Sequence, residues 1–146
     1  MIVSFLMVLF AYQGKGQTVK IMSYNIKYDN VKDAVNNWND RKLPMVALIK
    51  NHAPEFIGLQ EVLLNQLEYL NTSLTHYSYI GVGRDDGKQK GEFSPLFYNT
   101  KKYALLESST FWLSKTPDQI SVGWDAALER ICSYGLFENK ISKKKL

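Results

Sequence analysis

Two short β-rich runs, each closed by polar residues and each followed by apolar residues at helical spacing, constrain the fold of this chain more than any other feature. The first, Thr18-Val-Lys-Ile-Met-Ser-Tyr-Asn-Ile26, mixes β-branched and aromatic residues and predicts a strand from about Val19 to Ile26. The second, Glu55-Phe-Ile-Gly-Leu-Gln-Glu-Val62, is mostly apolar, as a strand buried on both faces must be, and it ends at Gln60 and Glu61. Between them Leu43, Val46, Ala47 and Lys50 recur at helical spacing. They predict a helix over roughly Asp40 to Asn51, capped by Asn39 or Asp40, with Pro44 tolerated near the first turn and Pro54 beyond the end. A second helix follows Glu61 with the stripe Leu63, Leu67, Leu70 and Leu74. Strand, helix, strand, helix opens an α/β layer whose two strands lie side by side in parallel.

After Leu74 the texture changes. Tyr77 to Val82 reads as a third strand and Gly83 to Gly91 as a projecting, turn-rich loop. Ser94 to Tyr98, Tyr103 to Glu107, Thr110 to Leu113 and Arg130 to Phe137 are further strand-like runs with no helices between them, as in a meander. The chain has no internal repeat and no low-complexity linker.

The composition, 45% hydrophobic and 22% charged over 146 residues, is that of one ordinary folded domain. The net charge of +4 is only mildly basic, and Lys140, Lys143, Lys144 and Lys145 read as a solvated tail, so charge alone does not argue for nucleic acid. Cys132 stands alone, which excludes an intrachain disulfide and a thiolate zinc cluster. His52 and His76 lack the spacing of a zinc site and read as surface or capping residues. Residues 1–12 are apolar except for Ser4, too short a run for a membrane span, which needs about 20 residues. With Gly14 and Gly16 spaced for signal peptidase, residues 1–16 read as a signal peptide despite the absence of a preceding Lys or Arg. That leaves 17–146 as the domain of a secreted or periplasmic protein.

Asn25 and Glu61 both stand at the C-terminal ends of predicted strands, where α/β sheets gather ligand-binding groups. A carboxylate at such a position must be paired or hold a metal. Mg²⁺ suits it, since that ion takes one or two carboxylates, several waters and substrate phosphate. The plainer alternative is that Glu61 caps the helix that follows it.

Six blocks in fixed order, from Met22-Ser-Tyr-Asn-Ile26 and Ile57-Gly-Leu-Gln-Glu-Val62 through Gly81-Val-Gly-Arg-Asp-Asp-Gly87 and Gly91-Glu-Phe-Ser-Pro-Leu-Phe-Tyr98 to Thr110-Phe-Trp-Leu-Ser114 and Trp124-Asp-Ala-Ala-Leu-Glu-Arg-Ile-Cys132, resemble the opening half of an endonuclease/exonuclease/phosphatase domain of the bacterial secreted branch. The resemblance implies an α/β fold: the N-terminal part of a two-sheet sandwich with helices on the outer faces and a metal-centred cleft at one edge. It implies a Mg²⁺-dependent phosphoester hydrolase, with Mn²⁺ as a possible substitute. Carried over by position, Glu61 and Asn25 are the metal and catalytic residues, while Arg84, Glu92 and Arg130 face substrate. The substrate is phosphorylated, whether nucleic acid, lipid head group or sugar phosphate.

Two departures stand out. Relatives read Ala-Leu-Pro-Arg where this chain has Ala127-Leu-Glu-Arg130, which sets a carboxylate beside the proposed phosphate arginine. The family's later Thr-His, Asp-x-Asn and Ser-Asp-His blocks do not occur before Leu146, so the resemblance implies a chain inactive by itself, or a module that binds phosphate or metal without turnover. An incomplete second sheet is further expected to leave an open apolar side near Tyr98, Phe111, Trp112, Trp124 and Phe137, favouring self-association.

Overall fold

The computed structural model describes residues 18–146, so the signal-peptide reading of residues 1–16 lies outside the described residues. The N-terminal half is built from β1 (Ile21–Asn25), α1 (Trp38–His52), β2 (Phe56–Gln60) and α2 (Leu64–Ser73). It is followed by β3 (Tyr77–Ile80), β4 (Leu96–Asn99), β5 (Tyr103–Trp112) and β6 (Ile131–Asn139). β1 and β2 are parallel neighbours, with Asn25 opposite Gln60. β4 then pairs antiparallel with both β2 and β3, so the first sheet has the order β1-β2-β4-β3, and β5 and β6 form a separate two-stranded sheet. This is the α/β, two-sheet arrangement expected from the sequence.

Strand alternation sorts the core into two layers. Ile57, Leu59 and Phe97 face the helices and pack with Trp38, Met45, Val46, Ile49, Leu67 and Leu70. Phe56 points the other way, joining Ile80, Tyr103 and Phe137 between the sheets. There the Phe56 ring lies 4.6 Å from Tyr103 and 5.0 Å from Phe137, and Tyr98 lies 4.9 Å from Phe137. Tilted and edge-on aromatic pairs at these separations stabilise beyond their buried area.

This packing draws part of the aromatic set expected on an open side into the core. Phe137 and Trp112 are buried, Tyr98 and Phe111 are half-buried, and of the five residues Trp124 alone is largely exposed. β6 folds its aromatic face onto β2 and β4, and the indole of Trp112 donates to the Arg84 carbonyl at 2.8 Å.

Two elements also differ from expectation in their boundaries. α1 begins at Trp38, because Asn37 caps it by accepting from the Asp40 backbone N–H at 3.2 Å. Pro44 therefore sits in the second turn, where it removes one helical hydrogen bond. The runs at Tyr103 and Thr110 are one strand, β5, interrupted by a bulge between Leu105 and Glu107. The expected break fell at Ser108 and Ser109, small polar residues that in the sheet pair with Gly135 and Tyr134.

Candidate functional site

The parallel pairing of β1 and β2 brings the end of one strand beside the end of the other, and the two polar residues found there touch. The amide nitrogen of Asn25 donates to Glu61 Oε1 at 2.8 Å. The amide oxygen of Asn25 accepts from the Lys27 backbone N–H at 2.9 Å, so both ends of the amide are engaged and its orientation is fixed. Among the described residues Glu61 Oε2 is met only by the Tyr28 N–H at 3.4 Å, which leaves most of that oxygen's capacity open. Glu61 and Lys27 both adopt left-handed backbone, at φ 58 in each case, a conformation that costs non-glycine residues on the order of 1–3 kcal/mol and persists only where neighbours hold it.

The neighbours are identifiable. Gln66, fully buried, accepts from the backbone N–H groups of Asp29 and Leu63 at 3.1 and 3.0 Å and donates to the Lys27 carbonyl at 3.1 Å. Arg41 donates to the carbonyls of Ile26, Lys27 and Asn36. Asn65 bonds the Asp29 carboxylate at 2.8 Å. The segment after β1 is thus pinned over Glu61 from both helices. Within it, the hydrogen bond from Lys27 and then the Asn36 N–H draw the Asp33 carboxyl down to about 2.

Gln66 and Arg41 were not among the expected site residues. Gln66 carried a signal, because a Gln three positions after the residue preceding a helix is half of a capping box. Arg41, in the polar run Asn39-Asp-Arg-Lys42, carried none.

Arg84 enters from the opposite wall. Its loop is folded back on itself, with Arg84 N donating to Glu92 O at 3.1 Å and isolated bridges from Phe93 to Val62 and Gly83. Gly83 is required there, since a Cβ would come within 2.2 Å of the Lys90 carbonyl oxygen. The Arg84 side chain is buried and donates to Glu92 Oε2 at 3.0 Å. Asp85 approaches Arg84 Nε only to 3.6 Å, and that nitrogen has no hydrogen-bond partner among the described residues. Asp86 turns into its own loop, where the N–H groups of Lys90 and Lys88 hold its carboxyl below the usual range. Glu92 is thus the hydrogen-bonded partner of Arg84, and Asp85 adds a longer ion pair.

Asn25, Glu61, Arg84, Glu92 and Arg130 line one cleft of about 280 Å³, together with Gln60, Ser94, Leu113, Glu129 and Ile131. Arg130 is exposed there, and despite Glu129 beside it makes no ion pair among the described residues. The cleft combines a carboxylate with an outward oxygen and two guanidinium groups, a set suited to a hard cation and the anion it carries. His52 and His76 lie at the other end of the first sheet. The His52 carbonyl accepts from Lys20 before β1, and the His76 carbonyl accepts from Thr100 after β4.

The fold has close counterparts. The chain is similar to an endonuclease/exonuclease/phosphatase from Bacteroides vulgatus at 46% identity and TM-score 0.84, over 87% of this chain and 49% of that one. The chain belongs to the endonuclease/exonuclease/phosphatase family. It is also similar to a mannosyl-6-phosphatase from Bacteroides thetaiotaomicron, at 42% identity and TM-score 0.85 over 88% of this chain and 49% of that one. The catalytic domain of human Nocturnin shares the fold at 15% identity, TM-score 0.68, over 88% of this chain and 47% of that one. This member of the family thus spans about half the length of the structures it matches. No protein-family model matches the sequence and no curated protein does. No helix of the described residues is long and apolar enough to cross a membrane.

Proposed function

We propose that this chain carries the metal- and phosphate-holding wall of a divalent-metal-dependent phosphoester hydrolase acting on a phosphorylated substrate. The observation that supports this best is the Asn25–Glu61 contact at 2.8 Å in the same cleft as Arg84 and Arg130. The mannosyl-6-phosphatase relative favours a sugar phosphate over nucleic acid or a lipid head group as substrate. The apolar run at residues 1–12 supports export to the periplasm or the medium.

The donors fit a single hard cation held largely by water. One carboxylate oxygen of Glu61 is available, Asn25 fixes the other, and no group of three or more His, Cys, Asp or Glu side chains able to hold a metal occurs among the described residues. Glu61 would hold Mg²⁺ or Mn²⁺, which when bound polarises a phosphoryl oxygen. Asn25 orients the Glu61 carboxylate. Arg130 meets phosphate oxygens with its fork, and Arg84, oriented by Glu92, offers a second positive charge from the buried side. Neither His52 nor His76 is near enough to transfer a proton at this cleft, which supports a second reading in which the chain binds phosphate or metal without turnover.

The test is release of nitrophenol from bis-nitrophenyl phosphate. The hydrolase reading expects Mg²⁺-dependent release that Glu61→Gln abolishes, slower by about 10² to 10⁴ than an enzyme with full acid–base help. Phosphate binding with no Glu61-dependent release supports the binding-only reading. Release indifferent to both Mg²⁺ and Glu61→Gln overturns the site.

A further inference from the structure

Trp124 is the outlier among the three tryptophans. Trp38 and Trp112 are 5% and 8% exposed, whereas Trp124 is 74% exposed and stands in left-handed backbone at φ 51. A bulky residue holds that conformation only where its surroundings impose it. The imposing contact is next door. Gly123 is buried so closely against β5's continuation that a Cβ would fall 2.1 Å from the Leu113 carbonyl oxygen, and Ala126 N closes the turn on Gly123 O at 3.1 Å.

Leu113 is not a neutral anchor. Its N–H donates to the Arg130 carbonyl at 2.7 Å, and Leu113 and Arg130 both line the candidate cleft. The indole therefore stands one residue from a backbone contact with the cleft wall, and the same loop also leaves Ile120, Val122 and Leu128 about half exposed. Eight of the ten residues lining the cleft are polar or charged, with Leu113 and Ile131 its apolar members. A phosphoryl group seated against Arg130 would carry the rest of its molecule outward past this apolar fringe.

We propose that Trp124 is a stacking platform for the ring of the substrate, a flat apolar face that packs against a sugar ring or a nucleobase attached to the phosphoryl group. The inference rests on the phosphate-holding reading of the cleft and adds to it a specificity-determining residue and a ligand class: phosphate esters bearing a ring. An aromatic face accepts any ring through its π-surface, so the source of the ring is a matter for experiment.

The full chain labelled with fluorotryptophan supplies the readout, in buffer containing Mg²⁺. The Trp124 resonance is identified by its absence in Trp124→Gly, a variant suited to the local backbone because glycine adopts φ 51 without strain. Inorganic phosphate, glucose 6-phosphate and adenosine 5′-monophosphate are titrated in turn. The expected result is that one or both ring-bearing esters move the Trp124 resonance and lose affinity about tenfold in Trp124→Gly, while inorganic phosphate does neither. The ester that responds more strongly identifies the ring as sugar or base. Phosphate binding with an equal affinity for all three compounds in both proteins overturns the platform and leaves the cleft standing. A wild-type chain that binds none of the three overturns the cleft and the platform together.

Discussion

Glu55 and Glu61 bracket the same five-residue strand, β2, and have opposite surroundings. Glu55, just before the strand, is saturated. Lys102 Nζ bonds one carboxylate oxygen and the buried Tyr103 hydroxyl the other, each at 2.5 Å. Burial pushes the Glu55 carboxyl up, but the bonds from Lys102 and Tyr103 outweigh it and hold the group below its ordinary value. Glu61, just after the strand, receives one good hydrogen bond, from Asn25, and is held in backbone that resists it. The first carboxylate joins the two sheets. The second keeps spare accepting capacity at the cleft, as the proposed metal-holding role requires.

The contrast yields expected outcomes that would break or sharpen it. The largest effect should come from Gln66, which maintains the strained segment beside Glu61. Replacing it with Leu strands two part-buried N–H groups and a carbonyl, so Gln66→Leu should lower stability by about 2–4 kcal/mol in chemical denaturation. A neutral result would mean that the segment holds itself.

Next, Glu55→Ala removes the shared partner of Lys102 and the Tyr103 hydroxyl, and should cost about 1–3 kcal/mol. Glu61→Gly should do the reverse, matching or exceeding wild-type stability by up to about 1 kcal/mol, because glycine adopts φ 58 without strain. If melting showed the two variants equally destabilised, the division of labour along β2 would be wrong.

The smallest effect is in the pH dependence. Glu55 and Asp33 have folded values depressed below their unfolded ones, Asp33 to about 2, so their contributions are complete above the unfolded values and fade as pH falls through the folded ones. Melting temperatures should therefore decline from about pH 5 downward, and Glu55→Gln should flatten part of that decline. An unchanged slope would show that Glu55 is no more engaged in the fold than in the unfolded chain.

The N-terminal half was largely legible in the sequence because its signals are local. Leu67 and Leu70 repeat on one helix face, Pro54 stops the first helix, and the parallel crossover places Asn25 beside the end of β2 whatever follows. The second sheet was less legible. The polar pair Ser108 and Ser109 split β5 into two apparent strands, and nothing local says that Phe137 and Trp112 face inward rather than toward an open side. At the cleft, Arg84 and Glu92 were named, but their pairing depends on a loop folded back through Gly83. Gln66 went unrecognised because its three bonds reach residues on two different segments.

The central claim is that Glu61, and not Glu55, is poised for a metal. Titration calorimetry of Mg²⁺ into the chain, with phosphate present, tests it most directly. The account expects weak binding that Glu61→Gln abolishes, that Glu55→Gln leaves intact, and that Arg130→Ala weakens only through phosphate. Mg²⁺ binding of equal strength in wild type and Glu61→Gln would contradict it.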